Sequence, residues 1–200
     1  MEKAILYVHG KGGSAAEADR FKPLCPDCDV FGIDFDDFTP WGTKEIILNA
    51  FQSLHEKYDS VSLIANSIGA FFSMLALQNC EIEKAFFISP ILDMEKLILD
   101  MMKWANVTED ELRTKLIIHT DFGEDLSWDY LTYVREHPIC WNVETEILYA
   151  GNDNLTSRDT VDRFISSHKA GLTVMENGEH WFHTEEQLEF LDNWLKKVRR

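Results

Sequence analysis

Ser67 stands where a nucleophile can be made. The segment Ala65-Asn66-Ser67-Ile68-Gly69-Ala70 follows the apolar run Val61 to Ala65 without a gap and leads into an apolar helical stretch, Phe71 to Leu77. A serine on so sharp a turn needs small residues two positions either side, because the backbone closes tightly there. Ala65 and Gly69 meet that need. The turn also sets the hydroxyl at a helix N-terminus, where the positive end of the dipole favours a developing anion. Taken alone, the same serine reads equally as an ordinary helix cap.

A serine hydroxyl attacks well only when a base takes its proton, and the base needs a carboxylate to orient it. Leu148-Tyr149-Ala150-Gly151-Asn152-Asp153 places a carboxylate just past an apolar run, and Val174 to Phe182 places His180 between the last strand and the last helix. Both have competitors. Asp93 follows the strand ending at Ile91, whereas Asp159 and Asp162 read as helix surface. His183 falls at a helix boundary, and His9, His119 and His137 follow no late strand. The loop His9-Gly10-Lys11-Gly12-Gly13-Ser14 also follows a strand, and glycine-rich loops of this kind can cradle phosphate. Its spacing fits neither the Walker pattern nor the dinucleotide fingerprint.

These residues need elements to hold them. Six short apolar runs read as buried strands: Ala4 to Val8, Val30 to Phe35, Val61 to Ala65, Ala85 to Ile88, Ile147 to Ala150 and Leu172 to Met175. Helix-period segments lie between them. Ile46, Ile47, Ala50, Phe51 and Leu54 share a face that Thr43 could cap, and Val161, Phe164, Ile165 and His168 repeat the pattern. Ser14 to Glu17 and Thr184 to Gln187 have the form of capping boxes. The last helix carries the stripe Leu188, Leu191, Trp194, Leu195 and Val198, and ends in Lys196, Lys197, Arg199 and Arg200, the sign its dipole favours. Strands alternating with helices imply right-handed crossovers and a parallel α/β sheet. Residues 92–146 exceed any simple crossover, which needs only about 10–20 residues. They read as a helical cap inserted in a single domain spanning 1–200, with a Met-rich amphipathic helix from Met94, a capping box at Thr108 to Glu111 and a helical stretch from Ser127 to Glu136. Ile117-Ile118-His119 is ambiguous between strand and helix.

The serine turn, the glycine loop and the later Asp and His, each after an apolar strand, resemble the α/β-hydrolase superfamily over nearly the whole chain except 92–146. The resemblance implies a three-layer, doubly wound, mainly parallel six-stranded sheet. With the first strand beginning at residue 3, the expectation is a minimal version without the two leading antiparallel strands of the larger family members. It implies the order Ser67 as nucleophile, Asp153 as the orienting acid and His180 as general base. The family's His-Gly pair precedes an oxyanion-hole donor, so the backbone N–H groups of Lys11 and Ile68 are the expected donors, with His9 structural. Ala65 departs from the first glycine of G-x-S-x-G, and one added methyl predicts a slightly altered turn. The implied chemistry is acyl transfer to water through an acyl-enzyme, with neither metal nor organic cofactor. The expected substrate is a small uncharged ester, with amides, peptides or thioesters as alternatives; a binding protein that keeps the fold without turnover is the rival of another class.

The bulk numbers narrow the partners. Two hundred residues suffice for one core, and 35 acidic against 19 basic residues leave a formal charge of −16. So negative a field excludes nucleic acid and anionic membrane surfaces and leaves a small molecule as the partner. The apolar run before His9 is too short for a signal peptide and no stretch approaches a membrane span, which predicts a cytoplasmic protein. Cys25 and Cys28 precede a strand and have no second pair for zinc, so they read as ordinary thiols. Trp41, Trp128, Trp181 and Phe182 are candidates for an apolar pocket.

Overall fold

In the computed structural model, residues 2–199 are described; Arg200, counted above in the basic helix end, lies outside them. The order is β1 (Lys3–Val8), β2 (Asp29–Ile33), α1 (Pro40–His55), β3 (Ser60–Asn66), α2 (Ile68–Leu77) and β4 (Ala85–Ile88). There follow α3 (Met94–Trp104), α4 (Glu109–Lys115), β5 (Ile117–His119), β6 (Asp125–Ser127) and α5 (Trp128–Glu136). The chain closes with β7 (Thr145–Ala150), α6 (Arg158–Ser167), β8 (Ala170–Met175) and α7 (Glu185–Val198). It forms two compact units, one of residues 1–92 and 140–200, the other Asp93–Ile139.

The larger unit holds a six-stranded sheet in the order β2-β1-β3-β4-β7-β8, parallel at every pairing. Parallel strands between helices must be apolar on both faces, and the central ones are: Ala4 to Val8, Leu63 to Ala65 and Ala85 to Ile88 are all buried. Ile5, Tyr7, Ile64, Phe86, Ile88 and Leu148 pack one face against Phe21, Leu191, Trp194 and Leu195. Alternation turns Leu6, Leu63, Phe87 and Ile147 to the opposite face, and α1 and α2 pack on β1 and β3. The chain leaves β1 for β2 on one side and then crosses to β3 on the other. The carboxyl ends of β1 and β3 therefore flank a topological switch point, where loops diverge and leave a crevice.

Local chemistry moves several expected boundaries. Helix α1 starts at Pro40 with Thr39 as its cap, not Thr43: the Thr39 hydroxyl accepts from the Gly42 N–H, and the ring of Pro40 is preset for the first helical position. Thr43 instead donates its hydroxyl to the Thr39 carbonyl. Strand β7 starts at Thr145, two residues before the expected Ile147. Ser14 to Glu17 is not a capping box. It opens a 3-10 turn over Ala15–Arg20 in which the Ser14 side chain caps nothing and Glu17 accepts a hydrogen bond from the Tyr7 hydroxyl. At α7 only half of the box forms: Thr184 accepts from the Gln187 N–H, but Gln187 reaches the N–H of His183 instead.

The smaller unit is not wholly helical. Thr108 and Glu111 make a complete capping box for α4, and Ser127 caps α5. Ile117-Ile118-His119 is a strand paired antiparallel with Asp125–Ser127. Arg135 of α5 binds Glu95 of α3 and, through two nitrogens, Glu109 of α4.

Cys25 and Cys28 are free thiols at the end of a short 3-10 segment, before β2. Burial pushes the Cys25 thiol up to about 11 and also raises Cys28, the opposite of an activated redox pair. Among the described residues no helix is long and apolar enough to cross a membrane, and no cluster of His, Cys, Asp and Glu is arranged to hold a metal.

Candidate active site

Ser67 occupies the one-residue turn between β3 and α2 with φ 53° and ψ −122°, a conformation that L residues rarely adopt. Its backbone is held on both sides. The Ser67 N–H donates to the Ile88 carbonyl, and the Ser67 carbonyl accepts from the N–H groups of Ala70 and Ile91. Strain of this kind persists only where the surroundings over-determine it. Ala65 remains in register in β3, fully buried, opposite Val8 and Phe87.

Gly69 is required by close approach. A Cβ there would lie 2.5 Å from the His9 carbonyl oxygen and 2.6 Å from that of Val8, both backbone atoms of the neighbouring strand end. Gly69→Ala must push α2 off β1, which costs about 3 kcal/mol, the upper part of the overpacking range. For a domain of this size that lowers Tm by roughly 6–12 °C. A thermal melt of the variant within 2 °C of the native protein, an interval of about half a kcal/mol, would show that the elbow has slack.

Three distant residues meet at this turn. Ser67 Oγ lies 2.7 Å from His180 Nε2, and His180 Nδ1 lies 2.7 Å from Asp153 Oδ2. A carboxylate only accepts, so Nδ1 carries the proton and donates to Asp153. Nε2 then offers its lone pair to the Ser67 hydroxyl. The Asp153 side chain is fully buried and that of His180 is 15% exposed. The second Asp153 oxygen accepts from the N–H groups of Leu155 and Thr156 at 2.8 and 2.9 Å. The two loops are also stitched to each other, because Gly151 donates to the Met175 carbonyl and Asn152 to that of Gly178. In this arrangement the imidazole is set to take a proton from Ser67, and the carboxylate to hold the imidazolium that forms.

The competing residues have other tasks. Asp93 caps α3 by accepting the Lys96 N–H. His9 is buried and stacks on Phe35 at 4.1 Å. His119 pairs with Asp125, His137 bonds back to the Tyr133 carbonyl, and His183 bonds to that of Trp181. Asp159 and Asp162 lie on α6, where Asp162 pairs with Arg158.

A cavity of about 390 Å³ opens on the pair, lined by Lys11, Gly13, Glu17, Ser67, His180 and Trp181 among others. Ile68 is the first residue of α2, so its N–H is one the helix itself does not use. A second cavity of about 170 Å³ lies alongside and shares Glu17, Asn66 and Trp181 with the first. Of the expected pocket aromatics, Trp181 lines both and Phe182 the smaller; Trp41 and Trp128 line neither.

In sequence the chain matches no family model and no curated protein. In structure it is similar to Est1E from Butyrivibrio proteoclasticus, with a TM-score of 0.79 at 15% identity over 99% of this chain and 86% of that one. Mouse alpha/beta hydrolase domain-containing protein 10 matches with a TM-score of 0.75 at 11% identity, over 98% and 89%. A soluble variant of monoglyceride lipase from Saccharomyces cerevisiae matches with a TM-score of 0.64 at 10% identity, over 99% and 86%. The chain has the α/β-hydrolase fold.

Within the α/β-hydrolase fold, one part of the cavity wall had no signature in the sequence. The spacing of Glu17 from Ser14 predicts half of a capping box, yet its carboxylate takes the hydroxyl of Tyr7, a residue of β1. Burial first, and the adjacent carboxylate second, push the Tyr7 phenol well above its usual range, so it stays a neutral donor. The carboxylate lies against Gly13, where a Cβ would be 2.8 and 2.9 Å from its two oxygens. The glycine of the loop is therefore what makes room for it.

Proposed function

We propose that this chain is a serine hydrolase that cleaves small carboxylic esters, with small uncharged esters as its baseline substrates and residues 92–146 as its cap. The observation that carries the proposal is the continuous hydrogen-bonded line from Ser67 Oγ through His180 to the buried Asp153, beside a cavity. A protein that only binds has no need of a strained serine aligned on an imidazole.

In the proposed reaction Ser67 Oγ attacks the ester carbonyl while its proton passes to His180 Nε2. The backbone N–H groups of Lys11 and Ile68 take the resulting oxyanion, each such donor contributing about 3 kcal/mol in the transition state. His180 returns the proton to the departing alcohol, leaving an acyl-enzyme. A water molecule, deprotonated by the same nitrogen, then releases the acid. Amides and thioesters fit the same steps. The formal charge of −16 supports a small molecule rather than a polyanion as the substrate.

The test is labelling with a fluorophosphonate. The folded native chain is expected to take one label at Ser67 and to hydrolyse a short-chain chromogenic ester. A folded chain that takes no label refutes the proposal, and a panel of matched ester, thioester and aminoacyl amide ranks the alternatives.

A further inference from the structure

Resting on the hydrolase proposal, we infer that the site prefers esters carrying an ammonium group a few bonds from the scissile carbonyl, and that Glu17 and Trp181 recognise it. The wall shared by the two cavities consists of Glu17, Asn66 and Trp181. An ammonium group is bound by a carboxylate, by an amide oxygen and by the face of an indole, and all three occur here. Trp181 directly follows His180 and is 71% exposed; His183 stacks on its indole at 5.0 Å, and the exposed remainder of the ring is what a ligand can reach.

Glu17 is held rather than merely present. Tyr7 donates to Oε2, and Gly13 lies beneath both oxygens, which fixes the carboxylate while leaving Oε1 without a hydrogen-bond partner among the described residues. A cationic side chain could occupy the carboxylate in place of a ligand. Arg20, on the wall of the smaller cavity, is committed elsewhere, engaged by Asp192 and by the Leu188 carbonyl. The net charge of −16 adds a field that draws cations towards the crevice and repels anionic substrates.

Two measurements test this. For turnover, the methyl ester of β-alanine is compared with its neutral isostere methyl butyrate and with the anionic monomethyl succinate; acetylcholine against neohexyl acetate places the cation on the alcohol side. The native protein is expected to favour the cationic member of at least one pair in kcat/KM by about ten-fold, the factor for one ion pair with a cation–π contact at a partly exposed wall. It should disfavour the succinate. In Glu17→Gln the cationic-to-neutral ratio should fall to near unity, and in Trp181→Leu it should fall several-fold. For binding, calorimetry of the same esters with Ser67→Ala protein reads the preference without turnover, and it should disappear in Ser67→Ala/Glu17→Gln. Equal affinity for cationic and neutral esters, or a preference that survives Glu17→Gln, overturns the inference. Failure to label or hydrolyse anything overturns the hydrolase proposal instead, and the binding data still decide the role of Glu17.

Discussion

Ser67→Ala is expected to lower kcat/KM for a small ester by roughly 10⁵–10⁶-fold and to abolish fluorophosphonate labelling, while the protein stays folded. The size follows from the unit character of the site. Once Oγ is gone, His180 has no proton to take and Asp153 orients an idle imidazole, so only the backbone donors and the cavity remain. The fold should survive because what the turn needs from residue 67 is backbone. Its N–H goes to the Ile88 carbonyl and its carbonyl receives Ala70 and Ile91, all of which alanine reproduces. Its φ of 53° is as uncomfortable for alanine as for serine. Steady-state rates with active-site titration, together with a melting curve, make the check. A folded Ser67→Ala protein within ten-fold of native activity would mean that the nucleophile is elsewhere.

Asp153→Asn is the second large effect, about 10⁴-fold in kcat. One oxygen of Asp153 accepts from the Leu155 and Thr156 N–H groups. An asparagine must keep its single oxygen on those two donors, since turning its amide nitrogen towards them leaves a buried clash of donors. Its NH₂ then faces His180 Nδ1, where the native carboxylate accepts at 2.7 Å. The imidazole is driven to the tautomer protonated at Nε2, which presents a hydrogen to Ser67 in place of a lone pair. The matched control is Asp93→Asn, for asparagine caps α3 as well as aspartate does. Its kcat should equal that of the native protein. If Asp93→Asn instead caused the loss and Asp153→Asn did not, the acid would have to be reassigned to Asp93.

These two expectations differ in how far the sequence alone could carry them. Ser67 is legible because a tight strand-to-helix turn imposes local demands, small residues at Ala65 and Gly69 and an apolar run on either side. His180 and Asp153 are legible through position, since loops beyond the carboxyl ends of parallel strands converge, yet Asp93 satisfies the same positional rule. Position alone does not separate the two aspartates, and the packed sheet does. Asp153 is brought to His180 because Gly151 and Asn152 are stitched to the Met175 and Gly178 carbonyls, pairings between segments distant in the chain.

Glu17 marks the limit more sharply. Its spacing from Ser14 is that of a capping box, and local logic assigns its carboxylate to the backbone at the helix start. In the folded chain a buried tyrosine on β1 needs an acceptor, and the carboxylate goes there instead. Ile117 to His119 shows the same division. Three residues carry no readable period, and they become a strand only by pairing with Asp125 to Ser127.

The sequence by itself thus determined what short-range physics controls: the six apolar strands, the helices between them and the tight strand-to-helix turn at Ser67. The tertiary structure decided what depends on burial and on partners far along the chain: which aspartate faces the imidazole, which tautomer that imposes, and the Glu17 and Trp181 wall beside Ser67. The physical reason is that apolar periodicity and turn sterics act within a few residues. A buried polar group, by contrast, is satisfied by whichever partner the packed sheet brings within reach.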